Sequence, residues 1–448
     1  MKSIMQRRIF GFSPRAATAV AAFAVVLVAA VFATHSVSAV KKTPSLPLQT
    51  LYTFTGGADG ANPYATLIED TSGNLYGTTM NGGSGVGAEG YGVVFEVSPA
   101  GAETVLYTFT GGADGGYPSA GVIMDSKGNL YGTTQGGGVS GEYCMNSGPC
   151  GVVFKLSPTS QRPWTETVLH TFTGDADGGN PYAGLIADSS GNLYGTTRIG
   201  GSQPLAGVAF KISSAGQETV LYNFCALTSC DDGANPEAGL IRDSQDNLYG
   251  TTMNGGTADQ YGDPGVGTIF KLTPANQESV LYGYSIANDG TTGSYPIAGV
   301  IRDSVGNLYG TTSQGGLTCG GYTCGVVFTL ATNDHYTVLH YFKGGADGST
   351  PNYGSLLRAA SGVLYGTTTT GGSGSCTGLY GPPGCGTLFS VTASGNESVL
   401  YTFKGQADGA FPEAGATVDR TGKVLGFGTT SGSSDGTYGY GTVFEVTK

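Results

Sequence analysis

The chain has 448 residues, 79 of them glycine, with charged residues at only 12% and a net charge of −12. A length of this order means several domains or one repeat array. The acidic balance excludes nucleic acid as a partner, since phosphate binding needs a basic face. Apolar strand patterns recur between the glycines, which excludes a disordered Gly-rich chain.

Residues 1–39 differ from the rest. Lys2, Arg7, Arg8 and Arg15 make a basic start, 16–33 are apolar, and 37–39 are small residues before a cleavage point. This pattern predicts a secretory signal peptide. The apolar run is at the lower limit for a membrane span, so the mature chain is expected to have no membrane span. "RRIFGF", residues 7–12, resembles a twin-arginine export signal. Without this segment the chain keeps 16 basic and 32 acidic residues, a net charge of −16. Residues 40–47 form a linker. The expected location is periplasmic, extracellular or cell-surface.

From residue 48 onward one unit recurs. The glycine of "YGTT" or its equivalent falls at Gly77, Gly132, Gly195, Gly250, Gly310, Gly366 and Gly428. Recurrence at this period predicts a propeller or solenoid. In the first unit "ATLIED", "NLYGTTM", "GVVFEV" and "ETVLYTF" read as four strands joined by turns. Four sequential antiparallel strands make a propeller blade. The last unit stops at Lys448 without its fourth strand, and the mature chain begins with an orphan fourth strand, "LQTLYTFT". The two remnants complete each other, and closure removes the exposed edges of an open array. The expected fold is all-β: a seven-bladed β-propeller over residues 48–448, with four antiparallel strands per blade and a ring closed by the N-terminal strand joining the last blade. The expected state is a monomer.

Strand order sorts the loops between two faces. The short "DSxGN" and "SPxG" turns fall on the first face. The long strand two–three loops and the blade-to-blade "GGADGxxP" connections fall on the second. All eight cysteines lie there in close pairs: Cys144/Cys150, Cys225/Cys230, Cys319/Cys324 and Cys376/Cys385. An even count in an exported chain argues for disulfides, and zinc would need CxxC knuckles or nearby histidines.

"AGLIxDSxGNLYGTTxxGG" followed by "GVVFKLSPxGxETVLYTFxGGADGxxP" resembles the GloVer tandem repeat of bacterial surface and exported proteins, over nearly all of the mature chain. The resemblance implies an exported repeat fold and no particular reaction. Members often carry a C-terminal surface anchor, whereas this chain ends on a strand. The "DxxGNLY-GT" core is also similar to the sensor propellers of two-component regulators.

Three sets of residues are candidates for function. The hairpin aspartates Asp70, Asp125, Asp188, Asp243, Asp303 and Asp419 read best as turn acceptors of backbone N–H groups. Blade six has Ala359 at this position. A second set, Asp59, Asp114, Asp177, Asp232, Asp289, Asp347 and Asp408, precedes a glycine in every connection. It reads either as Asp-Gly turns or as carboxylates ringing the channel mouth. One carboxylate per loop is far short of the six to eight oxygens Ca²⁺ takes, so no cofactor is expected, and Ca²⁺ would need carbonyls and water to complete its shell. The third set lies in the variable second-face loops: Glu89, Tyr91, Glu142, Tyr143, Asp259, Tyr261, Tyr322, Tyr380 and Tyr438, with Asp263, Asp435 and Tyr440 nearby. Aromatic rings and scattered acids suit a saccharide.

Beyond the signal peptide the histidines are His170, His335 and His340, too few for a nucleophile–His–acid site. The expected function is a non-catalytic binding or adhesion module for glycan or protein ligands on the cysteine-bearing face. The alternative is a polysaccharide-active hydrolase or lyase using loop carboxylates on that face.

Overall fold

The structure, a computed structural model, describes residues 46–83, 90–144, 148–160, 163–256, 265–285, 291–319, 321–351, 353–376, 382–405, 408–418, 424–428 and 439–446. The signal-peptide segment and Asp419 lie outside the described residues. The described residues contain strands and two 3₁₀ turns, with no helix long and apolar enough to cross a membrane.

Blade one shows the plan. Its strands are Ile68–Glu69, Leu75–Thr79, Val93–Val97 and Glu103–Thr108, each antiparallel to the next. The sequence counts seven blades; among the described residues those built from one continuous stretch of chain number six. The remaining four-stranded sheet is composite. Leu48–Thr53 pairs with Thr442–Val446, which pairs with Val424–Gly428 and then Thr417–Val418. The ring is thus closed by the N-terminal strand. Phe54, just after that strand, packs edge-on against Phe95 of blade one at 5.0 Å. The same contact joins the other blades, as in Phe109–Phe154 and Phe403–Phe444.

The first-face turns are held by their aspartates. Asp70 Oδ1 accepts the N–H groups of Ser72 (2.7 Å) and Asn74 (2.9 Å). Its Oδ2 accepts the Asn74 side-chain N–H (2.8 Å) and the Tyr76 hydroxyl (3.1 Å). Asp125, Asp188, Asp243 and Asp303 repeat the pattern. Burial raises the Asp243 carboxyl pKa, but the bonds from Asn247, Tyr249 and Gln245 outweigh it and hold it below the ordinary value. Blade six keeps the backbone turn with Ala359, whose N–H donates to Val363 O (2.9 Å). Asp243→Ala is therefore expected to cost only about 1–2 kcal/mol, read from a denaturant melt.

"YGTT" is structural at every letter. In blades one to five the Tyr bonds the turn aspartate. A Cβ on Gly132 would stand 2.6 Å from Phe154 Cζ, so the phenylalanine of strand three requires glycine beneath it. The first threonine ties its blade to the next: Thr78 Oγ1 donates to Ala120 O (2.9 Å), Thr133 to Ala183 O (2.9 Å) and Thr367 to Ala414 O (2.8 Å). The second bridges locally, Thr79 Oγ1 donating to Asn81 O (2.9 Å) and accepting the Val93 N–H (3.2 Å). Thr311 is the exception, with a buried hydroxyl that meets no partner. Its neighbour, blade six, is one residue longer between Pro351 and Leu356 than the other blades are at this point.

A candidate ligand-binding cavity on the propeller axis

In blades one to six the connection runs back along the end of strand two. The Met80 N–H donates to Asn62 O (2.9 Å), that of Gln135 to Tyr117 O (3.2 Å), and that of Arg198 to Asn180 O (3.2 Å). The residue before the connection's proline takes positive φ every time: Asn62 57°, Tyr117 60°, Asn180 50°, Asn235 55°, Tyr295 55°, Thr350 56° and Phe411 49°. A side-chain-bearing residue there is unfavourable by about 1–2 kcal/mol. The turn sends the chain inward along strand one. Two positions of the repeat thereby become neighbours near the axis: the residue after "TT" and the residue after the proline.

These positions vary from blade to blade, and they line a cavity of about 430 Å³. Tyr64, Tyr182 and Tyr353 give it aromatic surface, while Ser119, Gln135, Glu237 and Glu413 give it polar groups. Glu237 is ion-paired across the blade boundary, with Arg198 Nε 2.7 Å from its Oε1. The Arg198 guanidinium also lies 5.3 Å from the Tyr182 ring centre. Burial raises the Glu237 carboxyl, and the Arg198 charge offsets part of that rise. Burial alone pushes Glu413 up to about 7. Gln135 is 1% exposed, and its Oε1 has no hydrogen-bond partner. Tyr64 and Tyr353 are raised by burial first, with the Glu413 charge adding to it.

Of the loop residues expected to bind ligand, Tyr91 has a packing role. Tyr91 packs over Gly111, and its ring meets Tyr117 at 5.3 Å. Tyr440 covers Gly56 in the same way. In other connections a disulfide takes that place: the Cys144 and Cys150 sulfurs cover Gly174, and Cys319 and Cys324 cover Gly344. These tyrosines and cystines are alternative plugs for one site. All four expected disulfides are present: Cys144–Cys150, Cys225–Cys230, Cys319–Cys324 and Cys376–Cys385. They are consistent with an exported protein. Tyr143 is 40% exposed and reaches a shallow groove with Leu205 and the Cys225–Cys230 bridge, next to exposed Glu142. Glu89, Asp259, Tyr261, Tyr380 and Tyr438 lie outside the described residues, as does the side chain of Tyr322.

Six of the second aspartate set are hydrogen-bonded to side chains of strand four. Asp59 accepts the hydroxyl of Tyr52 (2.9 Å) and the backbone N–H of Thr55 (2.7 Å). Asp114, Asp232 and Asp408 bond Tyr107, Tyr222 and Tyr401. Asp177 and Asp347 bond His170 and His340. Their partners sit on strand four, the strand farthest from the axis, so these carboxylates brace the rim. Asp289 lies outside the described residues.

A glutamate from the next blade stands behind several of them. Burial, then the neighbouring aspartate's charge, pushes Glu166 and Glu278 up to about 7 and Glu397 up to about 8. His340, Asp347 and Glu397 bring ligand atoms within 4.8 Å of one another. Other blades make the same bond with tyrosine in place of the histidine, so a hydrogen bond accounts for the group.

The cavity residues are not among the candidates read from the sequence. Their signal was present: the one changing letter after each proline and after each "TT", inside an otherwise constant motif.

A family model for the Gloeobacter/Verrucomicrobia repeat matches residues 35–262 and, overlapping, 143–380. Among solved structures, a luciferin-regenerating enzyme is similar at 13% identity and TM-score 0.41, covering 73% of this chain and 90% of that one. A putative gluconolactonase is similar at 12% identity and TM-score 0.34, covering 72% and 90%. No curated protein matches.

Proposed function

The chain belongs to the Gloeobacter/Verrucomicrobia repeat family, and we propose that it is a binding protein that takes a small hydroxylated ligand, a saccharide or saccharide end, in its axial cavity. The observation that carries this is the convergence of three tyrosines, a glutamine and two glutamates, all but Tyr353 at the variable positions of an otherwise repeated scaffold. A volume of about 430 Å³ is that of a small-molecule site. Tyrosine rings offer apolar faces to sugar C–H groups, and Gln135 Oε1 lacks the donor that a hydroxyl would supply. Such a site suits a small ligand better than a protein surface.

Calorimetry of the mature chain against mono- and oligosaccharides tests it. Tyr182→Ala is expected to weaken binding tenfold or more, and Tyr143→Ala to leave it unchanged. A loss on Tyr143→Ala without a loss on Tyr182→Ala would move the site to the loops. The competing function, a polysaccharide hydrolase or lyase, is favoured by Glu413, whose carboxyl still holds a proton near neutrality and could serve as an acid. Release of new sugar ends from a polysaccharide, lost in Glu413→Gln, would establish it.

A further inference from the structure

We propose that the ligand of this cavity carries a cationic amine, held by the Glu413 carboxylate beside Tyr64 and Tyr353. The inference rests on the axial cavity being the binding site. Of the two carboxyl groups lining it, Glu237 already has Arg198 as its counter-charge. No ion pair or hydrogen bond satisfies Glu413 among the described residues. An anionic ligand would meet this carboxyl inside a chain of strongly acidic balance. A cation instead supplies the missing partner, and tyrosine rings stabilise it further. Gln135 Oε1, buried and unpartnered, accepts a second donor from the same ligand.

The raised Glu413 pKa agrees with a carboxyl waiting for a counter-charge, since burial is its only cause. The titratable and charged groups around it are Tyr64, Tyr353, Tyr182 and the Arg198–Glu237 pair. Burial raises the three tyrosines, so they stay neutral between pH 6 and 8.

The mature chain is titrated with glucose, glucosamine and choline by calorimetry at pH 6 and pH 8. Glucosamine is expected to bind more tightly than glucose. Choline has no titratable proton, so its profile reports the protein alone. It is expected to bind about tenfold more tightly at pH 8, as Glu413 passes from mostly protonated to mostly ionised. Glu413→Gln is expected to remove that dependence, with folding checked by a melt. Should the variant not fold, the choline profile of the unaltered chain decides. Glucose binding as well as glucosamine, with choline indifferent to pH, overturns the inference and leaves the cavity as a saccharide site. No binding of any of the three overturns both.

Discussion

Gly250→Ala is expected to lower stability by about 2–3 kcal/mol. The new Cβ would stand 2.7 Å from Phe270 Cζ and 2.9 Å from Leu240 Cδ2, both rigidly packed. Neither can withdraw, because Phe270 is 1% exposed and meets Phe224 of the preceding blade edge-on at 5.0 Å. The strain therefore passes to the blade boundary. Urea unfolding measures the loss, and adding Phe270→Leu should recover part of it by opening space over the alanine. An unchanged midpoint in the single variant would mean that the phenylalanine does not require glycine beneath it.

The second large effect is a loss of stability on the alkaline side. Glu166 and Glu278 titrate near 7 and Glu397 near 8 in the folded chain, against an unfolded value of about 4.3. Between these limits the folded state holds more protons than the unfolded state, so stability falls as pH rises through this window. These groups are partly open to solvent, and screening leaves each worth about 1 kcal/mol. Their sum is expected to lower Tm by roughly 5 °C between pH 5.5 and pH 8.5. The turn aspartates act oppositely. Their pKa values are lowered on folding, so their contribution is lost only as pH falls through the acid range. A chain carrying Glu166→Gln, Glu278→Gln and Glu397→Gln should show a flattened alkaline limb. A wild-type melt that is flat or rising over this range would show that the rim glutamates are ionised throughout.

The blade strands, the Asp turns and the closing N-terminal strand were legible because each is a local pattern copied many times. A strand needs only alternating apolar residues and a turn at each end, and the Asp70 hairpin closes within four residues. The disulfides were legible for the same reason, each partner lying within ten residues of the other. The rim pairs were not. Asp114 meets Glu166, 52 residues on in the chain, only because successive fourth strands lie side by side. Tyr91 looked like an exposed ligand contact because nothing nearby in sequence shows that it covers Gly111.

The amino-acid sequence by itself determined the repeat, the strand order, the ring closure and the cystine pairs, since all of these follow from short-range periodicity and spacing. Only the tertiary structure decided where a ligand would go. Tyr64, Gln135, Tyr182, Glu237 and Glu413 come from five blades and share no local motif. They meet because the closed ring turns two repeat positions, the residue after the proline and the residue after "TT", toward one axis, and no single repeat contains that axis.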